Sequence, residues 1–329
     1  MTRVALDVTP LALTRAGTAR YVRGLTEELQ RHDDVEVLRV GFGRTGRAAT
    51  VVRDTAWYLA GLPREAVRLR ARVLHCTTFR APLRSPVPVV VTVHDLALVR
   101  QPVLFTPWVR VYGATLLRHV VRAAARVIAV SAFTAREVVE LCGVPEERVR
   151  VVPNGAGEPF VVDGPAADGE YVLTVATLEP RKNLPRLAEA TRRLGVELRV
   201  VGARGWGGVE VGGNGVRWLG ERNDDEVARL YRGALCVAYP SLYEGFGLPV
   251  LEALRCGAPV VTSVGTAMEE VADGAAELVD PHDASAIAAG IVRAIARRAE
   301  LAVRGPERAA RFTWGAAADA TVAVYRELA

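Results

Sequence analysis

The sequence predicts an α/β protein built from two Rossmann-like domains in tandem, and three observations carry that expectation. At 329 residues the chain is too long for one ordinary α/β core and right for two domains of about 150 residues each. Half of its residues are hydrophobic and its charge is moderate, which is the composition of a folded globular chain. Short apolar runs alternate with helical patterns in two successive series, which indicates parallel sheets covered by helices on both faces.

In the first series, residues 4–8 read as a strand, followed by a loop over 9–18 and an amphipathic helix over 19–31. Residues 35–40, 73–76, 87–93 and 127–130 are Val-rich runs of buried-strand length. Helical periodicity covers 54–70, 107–122 and 133–141. A short strand at 149–152 closes on Asn154-Gly155, and composition then changes. Residues 158–170 are rich in Gly, Pro, Ala and Asp, as expected of an interdomain linker. The second series places strands at 171–176, 198–201, 216–219, 235–239, 260–262 and 276–279. Helices fall at 184–194, 224–232, 248–256 and 284–299, with one more over 314–328. Two such domains leave a cleft, and ligands of doubly wound sheets bind at the carboxyl ends of the strands.

Composition narrows the function. No apolar run reaches the roughly 18 residues needed to span a bilayer, and the first residues enter a strand pattern with no signal-peptide core. Cys76, Cys142, Cys236 and Cys256 are scattered in apolar settings without paired spacing. They read as reduced core residues, so a cytoplasmic location is expected. Residues 1–155 carry 23 Arg against 13 acidic residues, a net of +10, whereas the remainder is net −5. The first half is therefore expected to meet an anionic partner. Of the 42 basic residues, Lys182 is the single Lys. It marks either chance survival or a site that needs a compact ammonium in place of a planar guanidinium.

Four stretches can carry chemistry. In Thr14-Arg15-Ala16-Gly17-Thr18-Ala19-Arg20, Gly17 lets backbone amides and a helix N-terminus approach a phosphate, though the loop lacks G-x-G-x-x-G and a plain turn explains it equally. His94 and Asp95 follow a strand at its carboxyl end, where a His can touch ligand or be held structurally by backbone. Arg181 and Lys182 precede a helix N-terminus, and two cations beside a helix dipole suit a diphosphate. The fourth is Tyr239-Pro240-Ser241-Leu242-Tyr243-Glu244-Gly245-Phe246-Gly247-Leu248-Pro249-Val250-Leu251-Glu252, where a strand exit, a Gly turn and a helix start bring two carboxylates together eight residues apart. Both can face a ligand at the helix mouth; alternatively Glu244 is a cap and Glu252 a solvated helix residue. There is no Asp-x-Asp, no His/Glu or Cys/His cluster at metal spacing, no G-x-S-x-G elbow and no G-x-x-x-x-G-K-[ST] loop. The cations for a diphosphate are thus expected from side chains, with no divalent metal or other cofactor.

Taken in order, these stretches resemble the retaining glycosyltransferases of family 4, over essentially the whole chain. The strongest element is E-x7-E, met by Glu244 and Glu252. Gly17 with Arg20-Tyr21-Val22, Val93-His94-Asp95, Val130-Ser131, Val152-Pro153-Asn154-Gly155, Glu179-Pro180-Arg181-Lys182-Asn183, Val201-Gly202 and Leu219-Gly220 support it. The resemblance implies the GT-B architecture: an acceptor domain over 1–157 joined by the terminal helix 314–329, and a nucleotide-sugar domain over 158–313. It implies that Arg181 and Lys182 hold the donor diphosphate, helped by amides near Gly245, Phe246, Gly247 and Leu248. Glu244 would meet the donor sugar hydroxyls and Glu252 the ribose. Gly17 would approach the phosphate, His94 the transferring sugar, and the base would stack near Gly202, Leu219, Gly220, Glu221 and Arg222. Arg20 and Asp95 fall on the acceptor side. Ala16 stands where many relatives have a second Gly.

The expected activity is transfer of a hexose from a GDP-mannose or UDP-glucose type of donor to a hydroxyl on a glycan, lipid-linked or small-molecule acceptor. A sugar-nucleotide epimerase and a non-catalytic sugar-nucleotide-binding scaffold are the alternatives. Nucleic acid is excluded as a partner because no recognition motif accompanies the Arg residues. The apolar helix bearing Val111, Leu116, Leu117, Val120 and Val121 between Arg110, Arg118, Arg122 and Arg126 reads as a core-facing helix with a basic edge; peripheral contact with an anionic membrane through that edge is the alternative.

Overall fold

A computed structural model describes residues 1–14, 17–105, 113–209 and 212–329. Within them the chain forms two compact units, one of Met1–Gly155 with Thr313–Ala329 and the other of Ala156–Phe312. The first contains β1 (Thr2–Asp7), α1 (Pro10–Leu13), α2 (Gly17–Leu29), β2 (Val35–Val40), α3 (Arg47–Val52), α4 (Leu62–Arg68), β3 (Val73–Cys76), β4 (Val89–Val93), α5 (Ala97–Arg100), α6 (Ala114–Ala123), β5 (Arg126–Ala129), α7 (Ala132–Cys142) and β6 (Val149–Val151). The π-helical segment Arg53–Gly61 joins α3 to α4 in one continuous helical run. The second contains β7 (Tyr171–Val175), α8 (Leu184–Leu194), β8 (Glu197–Val201), β9 (Val216–Gly220), α9 (Asp224–Gly233), β10 (Cys236–Tyr239), α10 (Leu248–Arg255), β11 (Val260–Ser263), α11 (Ala267–Ala272), β12 (Glu277–Val279), α12 (Ala284–Ala296) and α13 (Arg298–Ala309). The last helix, α14 (Trp314–Arg326), belongs to the first unit.

Each unit has one six-stranded parallel sheet, in the orders β2-β1-β3-β4-β5-β6 and β12-β11-β10-β7-β8-β9. Parallel strands covered on both faces must be apolar throughout, which is why Val89–Val93 reads Val-Val-Val-Thr-Val and is buried at all five positions. Both orders reverse at one point, between β1 and β3 in the first sheet and between β7 and β10 in the second. The connections diverge there and leave a crevice at the carboxyl ends of the two strands.

Tertiary packing corrects several sequence expectations. Residues 9–18, expected as loop, contain α1, with Pro10 at its first position where the missing N–H costs nothing. Helix α3 starts earlier than the expected 54–70, and α5, α11 and α13 were not expected; α13 carries Pro306 inside it, which obscures its pattern. Residues 158–170 pack as part of the second unit despite their linker composition. Phe160 lies edge-on to Tyr231 with ring centroids 6.0 Å apart, and Arg232 donates to the carbonyls of Val161 at 3.1 Å and Pro165 at 2.8 Å.

The helix expected at 107–122 is described only in part, as α6. Arg110 and Val111 lie outside the described residues. In α6, Leu117, Val120 and Val121 are turned into the core, as the core-facing reading had it. Arg118 Nε donates to the Leu141 carbonyl at 3.2 Å, Arg122 to that of Cys142, and Arg126 Nε to Glu327 at 2.6 Å. The first two satisfy carbonyls at the C-terminus of α7, where cations also complement the helix dipole. The apolar side chains of α6 thus face the core, and Arg118 and Arg122 face α7.

Candidate active site

The crevice between β7 and β10 is where the predicted cations and carboxylate meet. Strand β7 exits through residues 176–179 into a 3-10 turn, Pro180–Lys182, which leads to α8. Asn183 closes the turn in the left-handed conformation, at φ 59°. Its side-chain amide donates to the carbonyls of Pro240 at 3.0 Å and Pro281 at 2.6 Å, and the Leu242 amide donates to the Arg181 carbonyl at 2.8 Å. These bonds knit the exits of β7 and β10 together. Lys182 Nζ donates to Glu244 Oε1 and, at 2.6 Å, to the Tyr239 hydroxyl. Arg181 lies 3.2 Å from Glu244 Oε2 and also donates to Glu179 at 2.8 Å. Lys182 and Glu244 are each only 8% exposed, so the pair sits in a low-dielectric setting.

Burial on its own would raise the Glu244 carboxyl, but Lys182 and Arg181 outweigh it and hold the group below its ordinary range. Burial also pulls the Lys182 ammonium down, and Glu244 opposes that pull. Two cations thus converge on one buried carboxylate beside the start of α8.

The rest of the long stretch is equally specific. The N-cap of α10 is Gly247, at φ 96° with no side-chain cap, so Glu244 is not the cap of that helix. Gly245, Phe246, Gly247 and Leu248 are buried, and Phe246 lies edge-on to Phe312 at 5.9 Å. Glu252 is 2% exposed and accepts from the Tyr231 hydroxyl at 3.4 Å, which rules out the solvated alternative. At the exits of β8 and β9, Gly202 donates its amide to the Gly220 carbonyl at 3.0 Å, and the Trp218 indole N–H donates to the Gly202 carbonyl at 3.0 Å. A Cβ on Gly202 would come within 2.0 Å of the Ala176 carbonyl oxygen, so only Gly fits. Leu219 and Gly220 are half-buried, whereas Glu221 and Arg222 are exposed.

In the first unit, exposed Gly17 opens α2 and Arg20 is half-buried one turn on; Arg15 and Ala16 lie outside the described residues. Half-buried His94 follows β4 and its Nε2–H donates to the Thr77 carbonyl at 2.9 Å. That bond fixes the tautomer and leaves Nδ1 as an acceptor. Burial pushes the imidazole below its ordinary value despite the Thr77 bond and Asp95. Asp95 Oδ1 accepts the Ala97 amide at 3.0 Å and so shapes the start of α5.

A buried network absent from the sequence reading lies beneath His94. The Tyr325 hydroxyl of α14 meets His75 Nδ1 at 2.7 Å, His75 Nε2 meets Thr92 Oγ1 at 2.8 Å, and Thr92 meets the Tyr21 hydroxyl at 2.9 Å. The Tyr21 ring packs edge-on against His94 with centroids 4.8 Å apart. Burial pushes His75 down to about 3, so it is neutral. A His and a Thr inside otherwise apolar strands were the available signal. Their partners, on α2 and α14, were not readable from spacing. Among the described residues, no group of three or more His, Cys, Asp or Glu is placed to hold a metal ion, and no helix is long and apolar enough to cross a membrane.

Comparison with known proteins identifies the family and the fold. The family described as glycosyl transferases group 1 matches residues 160–312, and glycosyltransferase family 4 matches residues 15–156. The chain is 32% identical over 268 residues to the O-antigen chain mannosyltransferase B of Escherichia coli, covering 73% of this chain and 70% of that relative. It is 32% identical over 273 residues to the D-inositol 3-phosphate glycosyltransferase of Mycolicibacterium smegmatis, covering 74% of this chain and 62% of the relative. It is 30% identical to the serotype-specific mannosyltransferase WbdA of Escherichia coli but spans only 27% of that protein's length. Among solved structures, sucrose-phosphate synthase from Thermosynechococcus elongatus superposes with a TM-score of 0.84 at 19% identity, over 100% of this chain and 99% of that one. An Anabaena protein, HepE, solved with UDP and glucose, superposes at 0.77 with 20% identity over the full length of both. At such identities the likeness shows the fold alone, and the fold is GT-B.

Proposed function

The chain belongs to the group 1, family 4 glycosyltransferases, and from that membership we propose that it transfers a hexose, with retention, from a nucleoside-diphosphate sugar to a hydroxyl acceptor. The observation that carries the reading is Lys182 and Arg181 converging on Glu244 at the switch point of the second sheet. The O-antigen mannosyltransferase relative favours mannose from its GDP donor over glucose from its UDP donor, and a glycan acceptor.

Breaking the anomeric C–O bond leaves a diphosphate with added negative charge, and preorganised cations lower the barrier most where that charge develops. Lys182 and Arg181 turn to the diphosphate, which requires no divalent metal, and Glu244 is released to take sugar hydroxyls. Glu252 meets the ribose, and Gly202, Leu219, Gly220 and Glu221 surround the base. Substitution proceeds on one face, with the departing phosphate oxygen taking the acceptor proton. In the first unit, neutral His94 offers Nδ1 to the substrate, and Gly17, Arg20 and Asp95 complete its polar edge.

The test is a thermal-shift panel of nucleotides and sugar nucleotides, followed by turnover with EDTA present. A matching donor at about 100 times its Kd adds roughly 2.7 kcal/mol of apparent stability. Free nucleoside diphosphate should appear only with acceptor, and the product should keep the donor's anomeric configuration. An inverted product, a covalent glycosyl adduct on Asp95, or activity lost to EDTA and restored by a divalent cation would each defeat part of the mechanism.

A further inference from the structure

We propose that Tyr239 is a positioning residue of the donor site: its hydroxyl holds Glu244 Oε1 in place while the cations turn to the diphosphate, so that Oε2 is presented to the donor sugar. The proposal rests on the transfer reading and deepens it, because it assigns recognition of the sugar half of the donor to a buried phenol.

The phenol is mounted more firmly than the groups it serves. Tyr239 ends β10, a strand inside the second sheet that is buried at all four positions. It stands in register with Thr262 of β11, whose hydroxyl donates to the Tyr239 carbonyl at 3.1 Å. Lys182 belongs instead to the 3-10 turn before α8, and Glu244 to the loop between β10 and α10. A strand holds a side chain more precisely than a loop does.

The hydroxyl touches both of those groups. It accepts from Lys182 Nζ at 2.6 Å and donates to Glu244 Oε1 at 3.2 Å. The Lys182 ammonium donates to the same Oε1, which closes a triangle, while Arg181 meets Oε2 at 3.2 Å. Burial and the neighbouring Glu244 charge push the phenol well above its ordinary value, so it keeps its proton and remains a donor. Of Lys182, Arg181 and Tyr239, the phenol is the partner without charge. A diphosphate therefore attracts the two cations and leaves the hydroxyl where it is. Once Lys182 and Arg181 turn, Tyr239 stays on Oε1, and Oε2 is the oxygen open to a sugar hydroxyl. Without the phenol, the same step strips a buried carboxylate of all three donors, which is costly.

The experiment compares wild type with Tyr239→Phe, which deletes one oxygen and keeps the ring that fills the core. Both are titrated with GDP, GDP-mannose, UDP and UDP-glucose. In the variant, the Kd of the matching sugar nucleotide should rise about tenfold while that of its bare diphosphate stays within about twofold. Turnover should fall about tenfold in kcat with acceptor KM unchanged. Because the hydroxyl acts through Glu244, adding Tyr239→Phe to Glu244→Gln should cost no more than Glu244→Gln alone. Replacing Tyr239 by para-aminophenylalanine restores an N–H donor at the same place and should recover sugar-nucleotide affinity. That replacement carries the test should the Phe variant fail to fold. Equal weakening of diphosphate and sugar nucleotide, unchanged affinity for both, additive losses in the double variant, or a para-amino variant that recovers nothing would each overturn the proposal. If wild type binds no sugar nucleotide and transfers no sugar, the transfer reading itself falls, and the proposal with it.

Discussion

Lys182 is the one Lys in the chain, and its surroundings explain why an Arg would not replace it. The ammonium is a point donor in a buried space between the Glu244 carboxylate and the Tyr239 hydroxyl, where a planar guanidinium would need more room and different angles. Lys182→Ala leaves Glu244 buried with Arg181 as its remaining cation. Removing one member of a buried pair costs about 3 kcal/mol or more, read by urea denaturation. Transfer should fall roughly 100-fold or further, in kcat more than in donor KM, because the missing charge acts on the leaving group. Unchanged turnover in Lys182→Ala would remove it from the mechanism. The sequence marked this residue by its rarity and by its place before a helix, but could not show that its charge is already neutralised by Glu244 before any donor arrives.

At the scale of elements, α10 matters through its start. Gly247 adopts a left-handed conformation, and a Cβ there would lie 2.7 Å from Met268 Cγ. Gly247→Ala therefore imposes backbone strain of about 1–2 kcal/mol. It should raise donor KM by shifting the first amides of α10; an unaltered KM together with unaltered stability would show that the turn tolerates the methyl. The Gly-x-Gly turn was legible because glycines between a strand and a helix have few other uses. The fate of α6 was not, because an apolar stripe edged by arginines has one pattern whether it faces a core or a lipid. Only the partners of Arg118 and Arg122, two backbone carbonyls of a neighbouring helix, decided it.

At the scale of the molecule, α14 completes the core of the first unit. Val322, Val324 and Tyr325 pack with Val4, Leu6, Tyr21 and Leu25, and each fully buried side chain of this size contributes about 1.5–3 kcal/mol. Tyr325 also ties His75 to the helix, and this buried imidazole makes one contribution to the pH response of the unit. Its folded value is about 3 against an ordinary 6.5. Between those values the unfolded chain takes up a proton that the folded chain refuses. Stability is thus intact above about pH 6.5 and falls by roughly 1.4 kcal/mol per pH unit as pH drops through the window. His75→Gln should flatten that slope in urea unfolding followed between about pH 6 and 4. An unchanged slope would assign the acid sensitivity to other groups.

The sequence by itself determined the two α/β units, nearly every strand, and the loops at the strand exits where Lys182, Glu244 and His94 stand. It could do so because parallel strands buried on both faces must be apolar, and because turns and helix starts admit few residue types. What only the tertiary structure decided is which side chains meet. The pairing of Lys182 with Glu244 depends on β7 and β10 being neighbours, a choice of strand order that no local pattern encodes. The same holds for the link from Tyr325 to His75 across 250 residues, and for the direction in which each apolar helix face points. Local sequence fixes what a segment can be, and long-range packing fixes what it touches.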